Sequence, residues 1–540
     1  MELIKKYRYI IFFLLGYIAL RVLIINVNVT EWGDSFRILR AAEYLLNFSY
    51  PLDEKRLPIF SALLAPGLLF IEPVLWGRIY AILAAVVNLI LTAVLFKQFY
   101  PKAKQLHLLI VMTLLAFNPI FFYWSLRIMA ETTFTVFVLL AFVVYLLDRE
   151  RFVSRPYVLG VVLSLAALTR YEGFLLAGAF GLSYLLKKDW RSLIKTFSVF
   201  VLLVAPWFIL TKFIFKGGTS DAYVSELSTF KFDLYRLGYF ITYSLFFVGS
   251  PVLTSLLLYR HSESKTKNLS PLASSALQNN DPSRVVQDDG MVWRLLINPL
   301  FTFSFLEFAL FFIWTPSLPR IMIPIIPIAI ILVVKNLVEV DFIKQHRPFI
   351  VAALLSVFCF LFLQLKFRLY FLVLSYSGLA LILALSFLAI LTVWRGSKKY
   401  FLVSVLATFL VGSFVAVANQ RLVYSTIYEA SVYAKTLPGK IAYSDETGVS
   451  AWYLGNKGVS YPQNLQRDAA GQKEWLKKNQ ISYVLDSNEF NRGSKLDVTG
   501  VVCAYRVEET IADVLDSVLI KLKIMKPRNY TKIYSQLCHV

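Results

Sequence analysis

The first candidate for chemistry is a polar stretch, Thr30-Glu31-Trp32-Gly33-Asp34-Ser35-Phe36, which carries two carboxylates three residues apart. A carboxylate held in place can act as general base for an acceptor hydroxyl or amine. Four cations follow it in the sequence, at Arg37, Arg40, Lys55 and Arg56. Because cations beside a base can neutralise a departing phosphate, this combination suits glycosyl transfer. The alternative is a solvated loop in which Asp34 caps the following helix.

Other charged residues stand next to uncharged segments. Arg127 and Glu131 are four residues apart, which puts them on one helical face, where they can also pair with each other. Arg170-Tyr171-Glu172-Gly173 is a charged hinge that suits either ligand binding or topology marking. Arg320 precedes a proline-rich apolar block and can clamp a lipid-linked phosphate or snorkel to the interface. Glu307 lies inside an apolar block, where it is a functional candidate or the partner of a neighbouring helix.

These residues must be positioned by an unusually apolar chain. It has 540 residues, of which 58% are hydrophobic and 16% charged, and its mean hydropathy is +0.63. Soluble domains are only about 45–50% apolar. Helices rather than a barrel are expected, since the apolar blocks lack the alternation of transmembrane strands. We therefore predict an all-α polytopic membrane protein with about 13 transmembrane helices, one of them near 106–122.

The distribution of Lys and Arg predicts the orientation of the chain in the cell membrane. These residues concentrate in alternate loops, which the positive-inside rule makes cytoplasmic. The N-terminus is then cytoplasmic, and Asp34, Arg170 and Arg320 lie on the opposite side. The net charge of +21 is explained by this topology, so nucleic acid is not an expected partner. The block Leu57–Ile71 is too short and too rich in Pro and Gly for a span, and we interpret it as an external interfacial helix.

Composition divides the chain into two domains. Residues 1–418 form the predicted transmembrane domain, with a first external loop at 27–77 and a polar cytoplasmic loop at 260–295. Residues 419–540 have the composition of an α/β domain, which we expect to be extracytoplasmic. Its predicted elements are a helix near 421–436, strands at 440–444 and near 458–461, a helix near 470–479 and a strand at 481–486.

Motifs of several other enzyme classes are not evident in the sequence. Walker A, dinucleotide-binding, HExxH and serine-hydrolase patterns are missing, so ATP-driven and metalloprotease functions have no residues to support them. The His residues are scattered, at positions 107, 261, 346 and 539, and indicate no metal cluster.

Taken together, the elements resemble the GT-C superfamily of polyprenyl-phosphate-sugar glycosyltransferases. The closest likeness is to the branch of protein O-mannosyltransferases and the lipid A aminoarabinose transferase. It covers most of the chain and rests on the order and membrane side of six elements. These are the acidic loop Glu31–Ser35, the motif Arg56-Leu57-Pro58, the segment Ser125–Glu131, the hinge Arg170–Gly173, Arg320 before a proline-rich span, and the terminal α/β domain.

The resemblance implies roles for individual residues. Asp34 looks like the catalytic carboxylate, and Glu31 is the second candidate because related enzymes often carry an Asp-Glu pair where this sequence has Asp34-Ser35. The donor phosphate would be bound by Arg320, Arg170, Arg56 and Lys55. The substrate pocket would be shaped by Glu131, Tyr171 and Glu172. The Trp-Trp-Asp signature of oligosaccharyltransferases is missing, which favours transfer of a single sugar.

The implied reaction is one inverting displacement, in which Asp34 deprotonates a protein, lipid or glycan acceptor and polyprenyl phosphate leaves. The expected partners are the lipid-linked donor, this acceptor and membrane lipids. Some superfamily members use a divalent cation, but the external carboxylates form no cluster that requires a metal. The alternative is a transporter or flippase of a lipid-linked glycan, which Glu307 favours slightly. A transporter would hold its charges near mid-bilayer, whereas these map to one surface, and a scaffold would leave that convergence unexplained.

Overall fold

The computed structural model is mainly helical, with one small sheet near the C-terminal end. It describes residues 2–51, 54–147, 154–215, 232–255, 297–313, 319–339, 346–367, 376–443, 448–461, 469–487, 503–508 and 530–535. The predicted cytoplasmic loop 260–295 lies outside the described residues.

Nineteen helices have both ends within the described residues and are numbered in chain order. The first eleven are Glu2–Leu23 (α1), Gly33–Leu46 (α2), Pro58–Leu64 (α3), Pro73–Phe99 (α4), Gln105–Ala116 (α5), Pro119–Trp124 (α6), Ala130–Tyr145 (α7), Arg155–Thr169 (α8), Glu172–Leu186 (α9), Trp190–Phe213 (α10) and Leu234–Phe246 (α11). The others are Pro299–Ile313 (α12), Ile326–Glu339 (α13), His346–Phe367 (α14), Tyr376–Trp394 (α15), Lys398–Gln420 (α16), Ser425–Thr436 (α17), Val449–Leu454 (α18) and Ala469–Lys478 (α19). Short 3-10 turns cover Ala65–Leu69, Pro319–Ile325 and Gly455–Lys457.

Within the described ranges, five stretches are long and apolar enough to cross a bilayer. They are Pro73–Phe99, Trp190–Phe213, Pro319–Val338, Arg347–Lys366 and Lys398–Ala418. Seven shorter apolar helices accompany them. Large apolar side chains on these helices point outward, such as Leu202 (72% exposed) and Phe358 (67% exposed), which suits contact with lipid. The chain is therefore a multi-pass membrane protein, and the count of about 13 spans stays a prediction.

The span predicted near 106–122 is interrupted in the structure. Helix α5 ends at Ala116, and the Asn118 side chain accepts hydrogen bonds from the backbone N–H groups of Ile120 and Phe121 at the start of α6. Pro119 occupies the first position of α6, where its missing N–H costs nothing. The sequence from 106 to 122 is mainly apolar, and only the pair Asn118-Pro119 indicates the break between α5 and α6.

The sheet has five strands in the order β2-β1-β3-β5-β4. Their bounds are Lys440–Tyr443 (β1), Gly458–Ser460 (β2), Ile481–Ser487 (β3), Cys503–Glu508 (β4) and Tyr530–Ser535 (β5). The first three coincide with predicted strands and pair in parallel, whereas β5 is antiparallel to both β3 and β4. Helices α17 and α19 correspond to the helices predicted near 421–436 and 470–479.

An aromatic interface joins this sheet region to the segment that carries Asp34. The Trp32 ring lies 5.8 Å from the Tyr424 ring, and Phe36 lies 5.5 Å from both Trp452 and Tyr453. A backbone hydrogen bond from the Val29 N–H to the Arg421 carbonyl adds to it. The two aromatic residues that flank Asp34 at i−2 and i+2 are thus both held by the C-terminal region.

Candidate active site

Asp34 lies in the first turn of α2, where a carboxylate interacts favourably with the helix dipole. Trp32, not Asp34, occupies the N-cap position, so the interpretation of Asp34 as the capping residue is wrong. The Asp34 carboxylate instead contacts two arginines from distant segments. Oδ1 accepts from Arg56 Nη2, and Oδ2 accepts from Arg320 Nη2 at 2.9 Å. The side chain of Asp34 remains 34% exposed, so a ligand can reach it.

Arg56 and Arg320 each have a second contact, besides Asp34, that fixes the guanidinium group. Arg56 stands just before α3, and its Nη1 donates to Glu54 Oε1 at 2.8 Å. The Glu54 side chain is fully buried, which anchors the guanidinium. Arg320 opens the Pro319–Ile325 turn and lies 5.5 Å from the centre of the Trp124 ring on α6. Partly buried guanidinium groups that are held in place suit the recognition of phosphate or carboxylate.

The pairing continues beyond Arg320. Its Nε lies 3.3 Å from Glu131 Oε1 on α7, and the same oxygen accepts from Arg170 Nη1 at 2.6 Å. Arg170 also donates through Nε to Glu172 Oε1 at 3.0 Å. Acids and arginines thus alternate in one line, which we name the charge ladder. Its members are Glu54, Arg56, Asp34, Arg320, Glu131, Arg170 and Glu172.

The tight hairpin between α8 and α9 fixes one end of the charge ladder. Arg170 is the C-cap of α8 and Glu172 opens α9, so the helix ends place them side by side. A Cβ atom at Gly173 would lie 2.3 Å from the Ala167 backbone nitrogen, so only glycine permits this close approach. The hinge that the charges predict therefore also requires glycine at position 173, so that the backbones of α8 and α9 can approach closely.

The electrostatics of Asp34 follow from its partners. Burial on its own would raise the pKa of the carboxyl, but Arg56 and Arg320, with help from Arg37, outweigh burial and hold the pKa of Asp34 well below its usual range. Asp34 is therefore ionised at neutral pH, the state that a general base requires. While both arginines stay bound, however, its affinity for a proton is low.

Glu31 has a different environment from Asp34. Its side chain is fully buried, and its Oε1 accepts from Arg78 Nε at 2.8 Å. Its Oε2 accepts from the Ile128 backbone N–H at 3.4 Å and lies 4.0 Å from Arg127 Nη1. Arg78 also donates to the Asn28 carbonyl. We name Glu31, Arg78 and Arg127 the Glu31 cluster, which the structure keeps apart from the contacts of Asp34.

The remaining candidates lie around the charge ladder. The Tyr171 hydroxyl donates to the Lys55 carbonyl at 3.5 Å, which joins the α8–α9 hinge to the segment before α3. Sequence reasoning assigned no role to Glu54 or Arg78. Glu54 carries a weak signal, since it directly precedes Lys55-Arg56. Arg78 carries a stronger one, because it is a charge in the first turns of a long apolar helix.

No cluster of three or more His, Cys, Asp or Glu suited to a metal ion occurs within the described ranges.

Comparison with known proteins identifies the fold. The structure is similar to ArnT from Cupriavidus metallidurans bound to undecaprenyl phosphate, with a TM-score of 0.61, 13% identity, and coverage of 97% of this chain and 98% of that chain. ArnT from the same organism in the apo state gives a TM-score of 0.55 at 13% identity, over 96% and 97% of the two chains. No protein-family model matches the sequence, and no curated protein matches it. The chain therefore has the fold of these ArnT structures, as expected from the resemblance to the GT-C superfamily.

Proposed function

We propose that this chain, with its GT-C fold, is a membrane glycosyltransferase. It moves a single sugar from a polyprenyl-phosphate donor to a protein, lipid or glycan acceptor on the extracytoplasmic side of the membrane. The observation that carries the proposal is the meeting of Arg56 and Arg320 on the partly exposed Asp34 carboxylate. The undecaprenyl phosphate bound to the similar ArnT structure supports a lipid phosphate as ligand.

In the proposed reaction, Asp34 takes the proton from the acceptor hydroxyl or amine. The acceptor atom then attacks the anomeric carbon from the side opposite the phosphate. The bond between this carbon and the phosphate oxygen breaks, and its electron pair leaves with the polyprenyl phosphate. One displacement of this kind inverts the anomeric configuration. Positioned guanidinium groups stabilise the charge that develops on the leaving phosphate.

The charge ladder gives the arginines two alternative anions. An arriving donor phosphate competes with Asp34 for Arg56 and Arg320, because guanidinium groups bind phosphate and carboxylate in the same bidentate way. Drawing these cations toward the phosphate raises the pKa of Asp34 and makes it a stronger base. The base is then strongest when the donor is bound. Lys55 and Arg170 are the further cations assigned to the phosphate.

The sugar is assigned to the end of the charge ladder that holds Glu131, Arg170 and Glu172. Glu131 and Glu172 both contact Arg170, and Tyr171 lies between the two hinge charges. Carboxylate and phenol oxygens accept hydrogen bonds from sugar hydroxyls. These three residues therefore form the proposed substrate pocket.

The test uses the purified full-length protein in lipid nanodiscs. It is incubated with a panel of labelled polyprenyl-phosphate sugars and a native membrane extract as the source of acceptors. We expect label transfer from at least one donor, and about 10²- to 10⁴-fold less with Asp34→Asn. The matched control is Asp233→Asn, since Asp233 caps α11 and asparagine caps equally well. Near-normal transfer by Asp34→Asn would remove the proposed base, and no transfer from any donor would overturn the function.

A further inference from the structure

One buried carboxylate near the charge ladder has no hydrogen-bond partner. Glu307 lies on α12, and its side chain is 1% exposed. Among the described residues, neither of its carboxylate oxygens has a hydrogen-bond partner. The sequence-based alternative, in which Glu307 pairs with a neighbouring helix, finds no hydrogen bond to support it. A buried carboxylate without donors destabilises a fold, so its presence calls for a ligand.

The charges that face Glu307 belong to the hinge between α8 and α9. Helix α12 packs chiefly against α9 and the Pro319–Ile325 turn, and it also contacts α11. Two charges of the hinge act on Glu307: Glu172 at the start of α9 repels it, and Arg170 at the end of α8 attracts it. Arg170 is already hydrogen-bonded to Glu131 and Glu172. Glu307 therefore adds a carboxylate to the Arg170 end of the charge ladder without receiving a hydrogen bond from it.

Glu131 shows a related pattern at the same arginine. Its Oε1 receives Arg170 and Arg320, whereas its Oε2 is buried and has no hydrogen-bond partner in the described structure. Glu131 and Glu307 thus offer three buried acceptor oxygens that lack donors. The phosphodiester of a lipid-linked sugar cannot satisfy them, because it brings negative charge and has no O–H to donate. Sugar hydroxyls can, since each supplies one O–H donor.

We propose that Glu307, together with Glu131, binds hydroxyl groups of the donor sugar and so determines which sugar is accepted. This inference rests on the proposed function and adds a specificity residue from a helix that supplies no other site residue. The two ends of the charge ladder then have separate tasks. The arginines around Asp34 bind the phosphate, and the carboxylates beside Arg170 bind the sugar. A site built to bind hydroxyls rejects analogues that lack them, because its polar groups are left unpaired.

The test compares a lipid with and without its sugar. Binding of polyprenyl phosphate and of the polyprenyl-phosphate sugar identified in the transfer assay is measured for the full-length wild type, Glu307→Leu and Glu307→Gln. We expect Glu307→Leu to bind bare polyprenyl phosphate within about twofold of wild type but the sugar-bearing donor about tenfold more weakly. Glu307→Gln keeps one acceptor oxygen and should lose less. The matched control is Ser304→Ala, since Ser304 is on the same helix and its hydroxyl also lacks a partner in the described structure.

Thermal unfolding separates a binding role from a structural one. Glu307→Leu removes a buried unpaired carboxylate, so we expect its Tm to equal or exceed that of wild type while donor binding falls. Three results for Glu307→Leu would each overturn the inference: an equal loss of affinity for the two lipids, a fall in Tm that accompanies the loss of donor binding, or an unchanged affinity for the donor. If wild-type protein binds neither lipid, the proposed function fails first, and this inference fails with it.

Discussion

Two carboxylates three residues apart in the sequence have opposite environments in the structure. Glu31 is fully buried, and its partners Arg78 and Arg127 are almost fully buried as well. Asp34 also has two arginine partners, yet a third of its side chain is exposed. A closed ion cluster fixes the backbone, because none of its members can exchange partners with solvent. An open one can release its arginines to a ligand.

The Glu31 cluster also supports the site next to it. Arg78 belongs to α4, and Arg127 belongs to the turn before α7, so Glu31 ties two helices to the segment that precedes α2. Asp34 lies three residues after Glu31, in the first turn of α2. Glu31 therefore positions the segment that carries Asp34, and Asp34 is the carboxylate left open to a ligand.

The largest expected effect on stability comes from Glu31→Gln. This change leaves the buried Arg78 facing a neutral amide in place of a carboxylate, and breaking a buried ion pair on one side costs about 3–5 kcal/mol. Thermal unfolding of the purified protein, followed by tryptophan fluorescence, should show a large fall in Tm. Asp34→Asn is the matched comparison and should lower the Tm far less. A Glu31→Gln protein that keeps its Tm but loses transfer would reverse the roles of the two carboxylates.

Arg320→Ala should weaken use of the donor far more than use of the acceptor. Loss of a charge-assisted hydrogen bond to phosphate is worth about 10- to 100-fold in affinity, so the donor KM should rise by about that factor. Initial rates are measured with donor and acceptor varied separately. Arg236→Ala, at the start of α11, is the control for removing a surface arginine. An equal loss for both substrates would indicate a folding defect.

The pH dependence of kcat/KM should show that Arg56 lowers the pKa of Asp34. Because Arg56 helps to keep the pKa of Asp34 low, Arg56→Gln should move the acid limb of kcat/KM to higher pH. Asp34 also makes the free energy of unfolding depend on pH. Its stabilising contribution is fully present above the unfolded pKa of the carboxyl and is lost as the pH falls through the lowered folded pKa. An acid limb that does not move would mean that Asp34 titration does not control turnover.

The smallest effect is expected at the aromatic interface. Trp452→Ala removes one ring from Phe36, and such aromatic pairs are worth about 0.5–1.5 kcal/mol. We expect kcat to fall a few-fold while the donor KM stays unchanged, because the ring positions α2 and does not touch substrate. Trp475→Ala is the control, since Trp475 packs on Tyr461 within the same region. A change in the donor KM alone would place Trp452 in the substrate pocket.

Local patterns predicted much of the fold. Apolar runs located the membrane helices, and alternation located β1, β2 and β3. The sheet order could not be predicted, because β5 lies between β3 and β4 through pairing with residues far away in the sequence. The break at Asn118 was missed because the surrounding apolar run looks continuous.

The site was predictable as a set of charges but not as a set of contacts. Arg170 and Arg320 were candidates because charges beside apolar blocks are conspicuous. Nothing local distinguishes Glu31 from Asp34, since both lie within two residues of the first residue of α2, Gly33. The positions of Arg78 and Arg127, which are remote in sequence, decide that Glu31 is the enclosed carboxylate.

The sharing of Arg320 between Asp34 and Glu131 has a consequence for inhibition. A small free anion that enters the site must displace carboxylates already bound to the guanidinium, so it exchanges contacts of similar strength and gains little affinity. A lipid-borne phosphate also buries its hydrocarbon chain, which contributes about 25 cal/mol per Å² of apolar area. We therefore expect soluble phosphate and sulfate to compete poorly with the lipid-linked donor. An effective inhibitor should carry a hydrocarbon chain.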